Sequence, residues 1–590
     1  MTAAPLSPYR TIIEALLAVE GCTHLGARFI PLSGEPVFYP YREILARAKA
    51  AAGVLQARGL EPGDRVAVAL PTCVGFLSTF LGIQLAGGIP AALYPPFRLG
   101  RLEEYHARTL GMLTRIGARF LVTDSRIAKL LGRIARDADC LAAVFDVREL
   151  DGPAVWQPAA PEPDSPAFLQ FSSGTTREPR AVIMTHQNLL ANLEMMNAVF
   201  RSFLPPEYPR EAVCWLPLYH DMGLVGCMFN GLYHPATIDY IAPEAFIARP
   251  ALWLQTLSRF RGAVSPAPQF AYSLCASRIR DEEMAGVDLS GWVIALNGAE
   301  PIDPEAMRLF SDRFSRWGLR ASAMTPVYGL AEAGLAVTFS DTRKPPLVRE
   351  FDREALSEGS EARPGVGREL PSVGRPFPGL DVRIADEGDR PLPEGRVGRI
   401  LIRGGSITPG YFGDPEATAE TIRDGWLDTG DLGFISGGEL FIAGRLKDLI
   451  IIRGRNVAPQ EIEEALWGLP GIRPGCVVAV GAQVDQKGEE LIVLAEQDPR
   501  HPRPEAELAE AVRERILERA ALCPWHVQIL GPGTLPRTSS GKMRRQEALR
   551  LFLAGELLPP EKMGTLRILK EVAKSQVAWG RFRLKRRRSA

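Results

Sequence analysis

Residues 169–186 read Leu-Gln-Phe-Ser-Ser-Gly-Thr-Thr-Arg-Glu-Pro-Arg-Ala-Val-Ile-Met-Thr-His. A short apolar strand, Ala167 to Phe171, runs into Ser172, Ser173, Gly174, Thr175 and Thr176, so hydroxyls and small side chains crowd one turn. Small residues let backbone N–H groups approach a polyphosphate, Gly174 tolerates positive φ, and Arg177 and Arg180 add fixed positive charge beside them. The stretch suits a phosphate cradle; taken alone, it equally suits a polar surface turn. Its surroundings decide between the two.

Upstream, strand-like and helix-like segments alternate. Arg42 to Gly59 has the periodicity of an amphipathic helix, Asp64 to Leu70 of a strand, and Arg101 to Ile116 of a second helix before the strand Arg119 to Thr123. The uncharged run between Arg65 and Arg98 is long enough to raise a membrane span, but Pro71, Pro90, Pro95 and Pro96 divide it into strand, helix and strand. This is doubly wound α/β patterning. Pro and Glu cluster between Gly152 and Pro166, as in a surface connection leading into the 169–186 stretch.

Bulk properties exclude several function classes. A chain of 590 residues needs more than one core. Lys+Arg and Asp+Glu both number 69, so global charge points to no nucleic-acid partner. Eight cysteines are scattered with no C-x-x-C pair, which suits a reducing cytoplasm better than a disulfide framework or a zinc site. The first 21 residues carry Arg10, Glu14 and Glu20 and no cleavage pattern, unlike a signal peptide.

Downstream come further polar landmarks. Residues 215–224, Trp-Leu-Pro-Leu-Tyr-His-Asp-Met-Gly-Leu, carry a His220–Asp221 pair that could serve as a base or be a satisfied buried histidine; no G-x-S-x-G nucleophile accompanies it. Leu296-Asn-Gly-Ala-Glu300 and Tyr328-Gly-Leu-Ala-Glu332 each follow a strand, the place where open α/β sheets bind ligands. Tyr328 offers an aromatic face and Glu332 a hard oxygen for Mg²⁺. From Gly379 to Gly413, short strands with Gly and Pro punctuation read as a small β subdomain. Gly425-Trp-Leu-Asp-Thr-Gly-Asp431 follows. Pro536-Arg-Thr-Ser-Ser-Gly-Lys542-Met543 looks like a nucleotide loop but lacks the first glycine and the final Ser/Thr of a Walker motif.

In this order and spacing the landmarks resemble the adenylate-forming superfamily, from about Tyr39 to about Arg545, and His220-Asp-Met-Gly223 resembles its fatty acyl-AMP ligase branch. The resemblance implies a large domain of doubly wound α/β subdomains plus a small β subdomain (residues 1–445), a small mobile C-terminal α/β domain (446–556) and a basic tail (557–590). It implies ATP and Mg²⁺ as cofactors, bound by Ser172, Ser173, Gly174, Thr175, Thr176, Arg177, Arg180, Gly298, Ala299, Glu300, Tyr328, Gly329, Asp431 and Arg445, with Glu332 on the metal. Asp431 would accept the ribose hydroxyls, and Lys447 would be the hinge. Lys542, Glu332 and His220 would be catalytic, and an acyl pocket would use His220, Asp221, Met222, Gly223, Ala267 and Phe270. The implied reaction makes an acyl-adenylate from a fatty acid, then passes the acyl group to a separate acyl carrier protein, with coenzyme A disfavoured. Departures from the superfamily pattern are Arg177 for glycine, Arg180 for lysine, Ala181 for glycine and Ala331 for threonine.

Two segments stand apart. Thr338 to Val373 is polar and long; it is either a tolerated surface loop or the insertion that resembles the one in fatty acyl-AMP ligases, which disfavours free coenzyme A. Between Arg567 and Arg588 nine side chains are basic and only Glu571 is acidic, reading as a solvated tail or as a contact for an acidic carrier or an anionic membrane surface. On residues alone, an acyl-CoA ligase and a catalytically silent adenylate fold stay open as alternatives.

Overall fold

The computed structural model describes residues 7–96, 102–172, 179–204, 211–452, 455–483, 489–538, 541–559 and 565–589. Two sheets carry the large domain. One has six strands in spatial order 143–146, 120–123, 65–69, 89–92, 166–171 and 181–185, parallel except for the last. The other has nine; its centre, 324–329, 292–297, 263–267, 211–214 and 237–241, is parallel. The Val74–Leu85 helix has Phe76 through Leu85 buried without a break, which explains its uncharged sequence. Twelve residues of helix are too short for a bilayer, and among the described residues no helix is long and apolar enough to cross one. Phe168 of one sheet stacks on Phe229 at 5.6 Å, and Phe80 meets both at 6.0 Å, so the layers share one aromatic core.

The expected β subdomain is larger than the sequence suggested. Strands 380–385, 398–404, 422–423, 426–436 and 439–445 form one antiparallel sheet, so its last strand ends at Arg445 itself. The small C-terminal domain has a hairpin (450–452 with 455–457) and a three-stranded sheet (472–483, 489–497, 526–530), with Glu505–Ala520 packed on it.

The Thr338–Val373 segment is not a loose loop. Val348–Phe351 pairs antiparallel with Arg368–Pro371, and Phe351 is buried against Phe434 and Phe441 at 4.9 and 5.5 Å. Its arginines reach the small domain: Arg353 ion-pairs with Glu461 at 3.0 Å and donates to the Arg519 carbonyl at 2.8 Å, and Arg368 lies 3.7 Å from Glu464.

The solvated-tail reading needs correction. Thr565–Ser589 is a helix docked on the Ser125–Asp137 helix of the large domain. Ala578 and Phe582 are buried, Trp579 Nε1 donates to the Ala128 carbonyl at 2.9 Å, and Gly132 N–H donates to Ser575 Oγ at 2.8 Å. The charge count concealed a spacing of small and aromatic residues that makes one face apolar. The helices touch because position 132 has no side chain: a Cβ there would stand 2.1 Å from the Ser575 carbonyl oxygen. Gly132→Ala is therefore expected to cost about 1–3 kcal/mol of packing or to undock the terminal helix. Faster hydrogen exchange across residues 570–584 checks this; unchanged protection would contradict it.

Candidate active site

A cavity of about 1240 Å³ runs from the C-terminal ends of the parallel strands down between the sheet and its covering helices. Its mouth is built by loops that topology brings together. The strand Met324–Gly329 ends in Tyr328, whose hydroxyl donates to Asp431 Oδ2 at 2.7 Å. Asp431 and Arg445 are cross-strand partners in the β subdomain, and Arg445 Nε donates to Asp431 Oδ1 at 2.9 Å. Each carboxylate oxygen keeps a further lone pair for a ligand hydroxyl.

The strand Trp292–Asn297 ends in Gly298, Ala299 and Glu300. Ala299 has φ +67, a conformation that costs a non-glycine residue roughly 1–3 kcal/mol and turns the loop into the cavity wall. Glu300 Oε1 accepts from the Phe270 N–H at 2.5 Å, and burial pushes its carboxyl up despite the nearby Lys542, Arg537 and Arg545 cations. Across the mouth, His220 Nδ1 lies 2.6 Å from Asp221 Oδ1. Burial pushes the Asp221 carboxyl up, but His220, the Lys542 ammonium and the Met222 N–H together hold it at about 2.

Lys542 enters this site from the small domain. Its tight turn is closed by Thr538 N–H to the Lys542 carbonyl at 2.8 Å and Lys542 N–H to Thr538 Oγ1 at 3.0 Å, with Gly541 at φ +94. Arg545, just beyond, is locked to Glu463 (2.6 Å) and Asp448 (3.1 Å). Burial pulls the Lys542 ammonium below its ordinary range, and Arg445 adds to this, while Asp221, Glu300 and Asp431 support the charge. An outer contact joins the domains at Arg544 and Glu104, 2.8 Å apart.

Beside this group, Glu332 Oε1 accepts from the Tyr411 hydroxyl at 2.9 Å, and the Arg180 guanidinium lies over the Tyr411 ring at 5.1 Å. Ser172 N–H donates to the Arg180 carbonyl at 2.9 Å, and Arg180 N–H donates to Ser172 Oγ at 3.1 Å. Ser173, Gly174, Thr175, Thr176 and Arg177 lie outside the described residues.

Ser172, Arg180, Ala299, Glu300, Tyr328, Gly329, Glu332, Asp431, Arg445, Lys447, His220, Asp221, Met222, Phe270 and Lys542 all line the one cavity. Three expected residues do not. Gly223, Ala267 and Gly298 stand behind the wall, where Gly223 and Gly298 allow close backbone approach (a Cβ would lie 2.4 Å from Pro217 O and 2.7 Å from Val327) and Ala267 is fully buried. Pro266 and Gln269 take the place of Ala267 in the lining. Sequence reasoning missed Tyr411 and Arg545. Tyr411 sits in a Thr-Pro-Gly-Tyr turn whose only signal is an aromatic after two breakers, and Arg545 is one charge among many.

The wall below the mouth is a helix running from Asp221 to Tyr233 whose central part, Leu224–Phe229, is a π-helix. Such wide turns recur at functional sites, and this one faces the cavity with Gly226 and Cys227. The opposite wall is the His186–Phe203 helix, capped by Thr185 accepting from Asn188 N–H at 3.2 Å, with Met196 and Phe200 inward.

Asp221→Asn provides a test of this electrostatic arrangement. Its carboxylate supports the Lys542 charge, so the variant is expected to move the alkaline limb of kcat/KM for adenylation to lower pH. Because the native carboxyl sits below its ordinary 3.8, the stability it contributes is present above that value and is lost as pH falls through about 2. An unshifted alkaline limb would remove Asp221 from the account of Lys542.

Comparison with known proteins agrees with this geometry. Residues 12–412 match the family of AMP-binding enzymes. A Caulobacter vibrioides protein provisionally named an acyl-CoA synthetase is 35% identical over 93% of this chain and 96% of its own. A long-chain-fatty-acid–AMP ligase, FadD26, of Mycobacterium marinum is 34% identical over 87% of this chain and 91% of its own. Among solved structures, one from a study of fatty acyl-adenylate ligases of E. coli and L. pneumophila superposes with a TM-score of 0.86 at 34% identity, covering 93% of this chain and 98% of that one. The chain belongs to the AMP-binding enzyme family of adenylate-forming proteins.

Proposed function

We propose that the protein activates a fatty acid with ATP to an acyl-adenylate and then transfers the acyl group to the phosphopantetheine thiol of a separate acyl carrier protein. The observation that carries this reading is the seating of Lys542 among Asp221, Glu300, Asp431 and Arg445 at the mouth of a deep, largely apolar cavity. In the first step a fatty carboxylate oxygen attacks the α-phosphorus of ATP, and the bond to the β-phosphate oxygen breaks to release pyrophosphate. No side-chain nucleophile is needed, because positioning and charge stabilisation carry such a step. The Lys542 ammonium would bridge the attacking carboxylate and the α-phosphate, where negative charge gathers. Asp431, held by Tyr328 and Arg445, would accept the ribose hydroxyls, with the Tyr328 ring beside adenine and the Ala299–Glu300 loop as the adenine floor.

Glu332 fits Mg²⁺: Tyr411 orients its carboxylate through one oxygen, and a hard oxygen donor is left over. Such an ion would take the Glu332 carboxylate and otherwise phosphate and water. When bound, the ion would neutralise phosphate charge on the leaving side. In the second step, after rotation about Lys447, the thiol sulfur attacks the acyl carbonyl carbon and AMP leaves.

The acceptor has a second reading, coenzyme A. The Thr338–Val373 hairpin bears on this choice, since its Arg353 and Arg368 engage the small domain, whose rotation a thiol acceptor would require. Excising residues 341–368 is expected to raise coenzyme A acylation in a folded variant; no gain would leave the hairpin as a structural element only.

For the first step, Lys542→Ala is expected to lower acyl-adenylate formation at least ~10²-fold while ATP binding changes little. Mass spectrometry of acyl-AMP, with nucleotide binding measured in parallel, checks both. Unchanged acyl-AMP formation would refute the role given to Lys542.

A further inference from the structure

The cavity that receives the acyl chain in this reading is apolar along most of its depth, through Met196, Phe200, Cys227, Leu335 and Phe339. Two amides interrupt it. Asn197, 5% exposed, and Asn230 meet on the cavity lining, where the His186–Phe203 helix packs beside the end of the π-helix. Asn197 Nδ2 donates to the Leu193 carbonyl at 2.7 Å and to Asn230 Oδ1 at 3.2 Å. These bonds fix both amide orientations. They leave the Asn197 carbonyl oxygen and the Asn230 NH₂ as an acceptor and a donor side by side on the lining, neither bonded to another described residue.

A plain hydrocarbon chain is a poor occupant for such a place. Threading methylenes past the pair would strip water from an acceptor and a donor and return nothing, and an unmade buried hydrogen bond is the costly case. A hydroxyl both donates and accepts, so one group could satisfy both amides. Asn230 lies nine residues along the continuous helix from Asp221, which places the pair about two turns below the activation point. Beyond it the wall stays polar: Arg201 lies 3.0 Å from His234 Nε2 and pairs with Glu194, which also accepts from the Tyr233 hydroxyl at 2.9 Å.

We infer that Asn197 and Asn230 form a specificity site, and that the preferred substrate is a carboxylic acid bearing a hydroxyl near the far end of its chain. The inference rests on the acyl-activating reading above and names the class of acid within it.

The test needs no variant at first. Acyl-adenylate formation is compared for dodecanoic acid and ω-hydroxydodecanoic acid with the full-length protein, ATP and Mg²⁺. The hydroxy acid is expected to show a kcat/KM at least ~10-fold higher, the worth of about one net hydrogen bond. Asn230→Leu is expected to abolish or invert that preference while leaving dodecanoic acid turnover equal or raised, and Asn230→Gln, which keeps the amide, to retain part of it. Equal use of both acids by the native protein overturns the specificity site alone. A preference that persists unchanged in Asn230→Leu overturns it as well. No adenylate from either acid overturns the fatty-acid reading and this inference with it.

Discussion

A partly buried ammonium organises the structure. Lys542, half-buried, carries a positive charge into the cleft, and burial disfavours that charge unless opposite charges converge on it. Those charges come from three separate parts of the fold: Asp221 from the turn before the π-helix, Glu300 from a strand end of the nine-stranded sheet, and Asp431 from the β subdomain. None is near the others in the chain. The nine-stranded sheet, the β subdomain and the small domain must therefore all be in place before the site exists, and the small domain is tied to the large one by Arg353–Glu461 and Arg544–Glu104.

The same economy recurs in the supporting residues. Tyr328 and Arg445 fix opposite oxygens of Asp431, Tyr411 fixes Glu332, and Arg545 is locked by Glu463 and Asp448 next to the lysine turn. Asp431 and Glu332 are each oriented by neighbours and keep lone pairs free. Such preorganisation is what a reaction without a covalent enzyme intermediate requires, because its catalysis is geometry and electrostatics. The 348–371 hairpin contacts the small domain, and the terminal helix docks on the large one.

Much of this was legible in the chain. Alternating periodicities of the first two-thirds gave the doubly wound sheets, prolines correctly broke the uncharged run 65–98, and glycine-rich polar turns after strands marked the cavity mouth. The misses share a cause. Gly223 and Ala267 were expected in the acyl pocket and Gly298 on the cofactor, all by motif, yet a motif names a segment, and within a segment the pleat or helical turn decides which residue faces in. Tyr411 and Arg545 carry no local peculiarity, because their importance lies in partners 79 and 82 residues away.

By itself the sequence determined the local elements and the inventory of chemistry: strands and helices follow from spacing of apolar residues, and the Ser/Thr/Gly turn, the acidic loops and the lone lysine between glycine and methionine name phosphate and carboxylate handling. Only the tertiary structure decided which of these groups meet. It turned a basic tail into a docked helix through one bare glycine, a polar loop into a hairpin anchored on phenylalanines, and two unremarked asparagines into a bonded pair on the lining of an apolar cavity. Side-chain periodicity reports that a face is buried, but what covers that face depends on the packing of segments far apart in the chain, and this is fixed only when the whole fold closes.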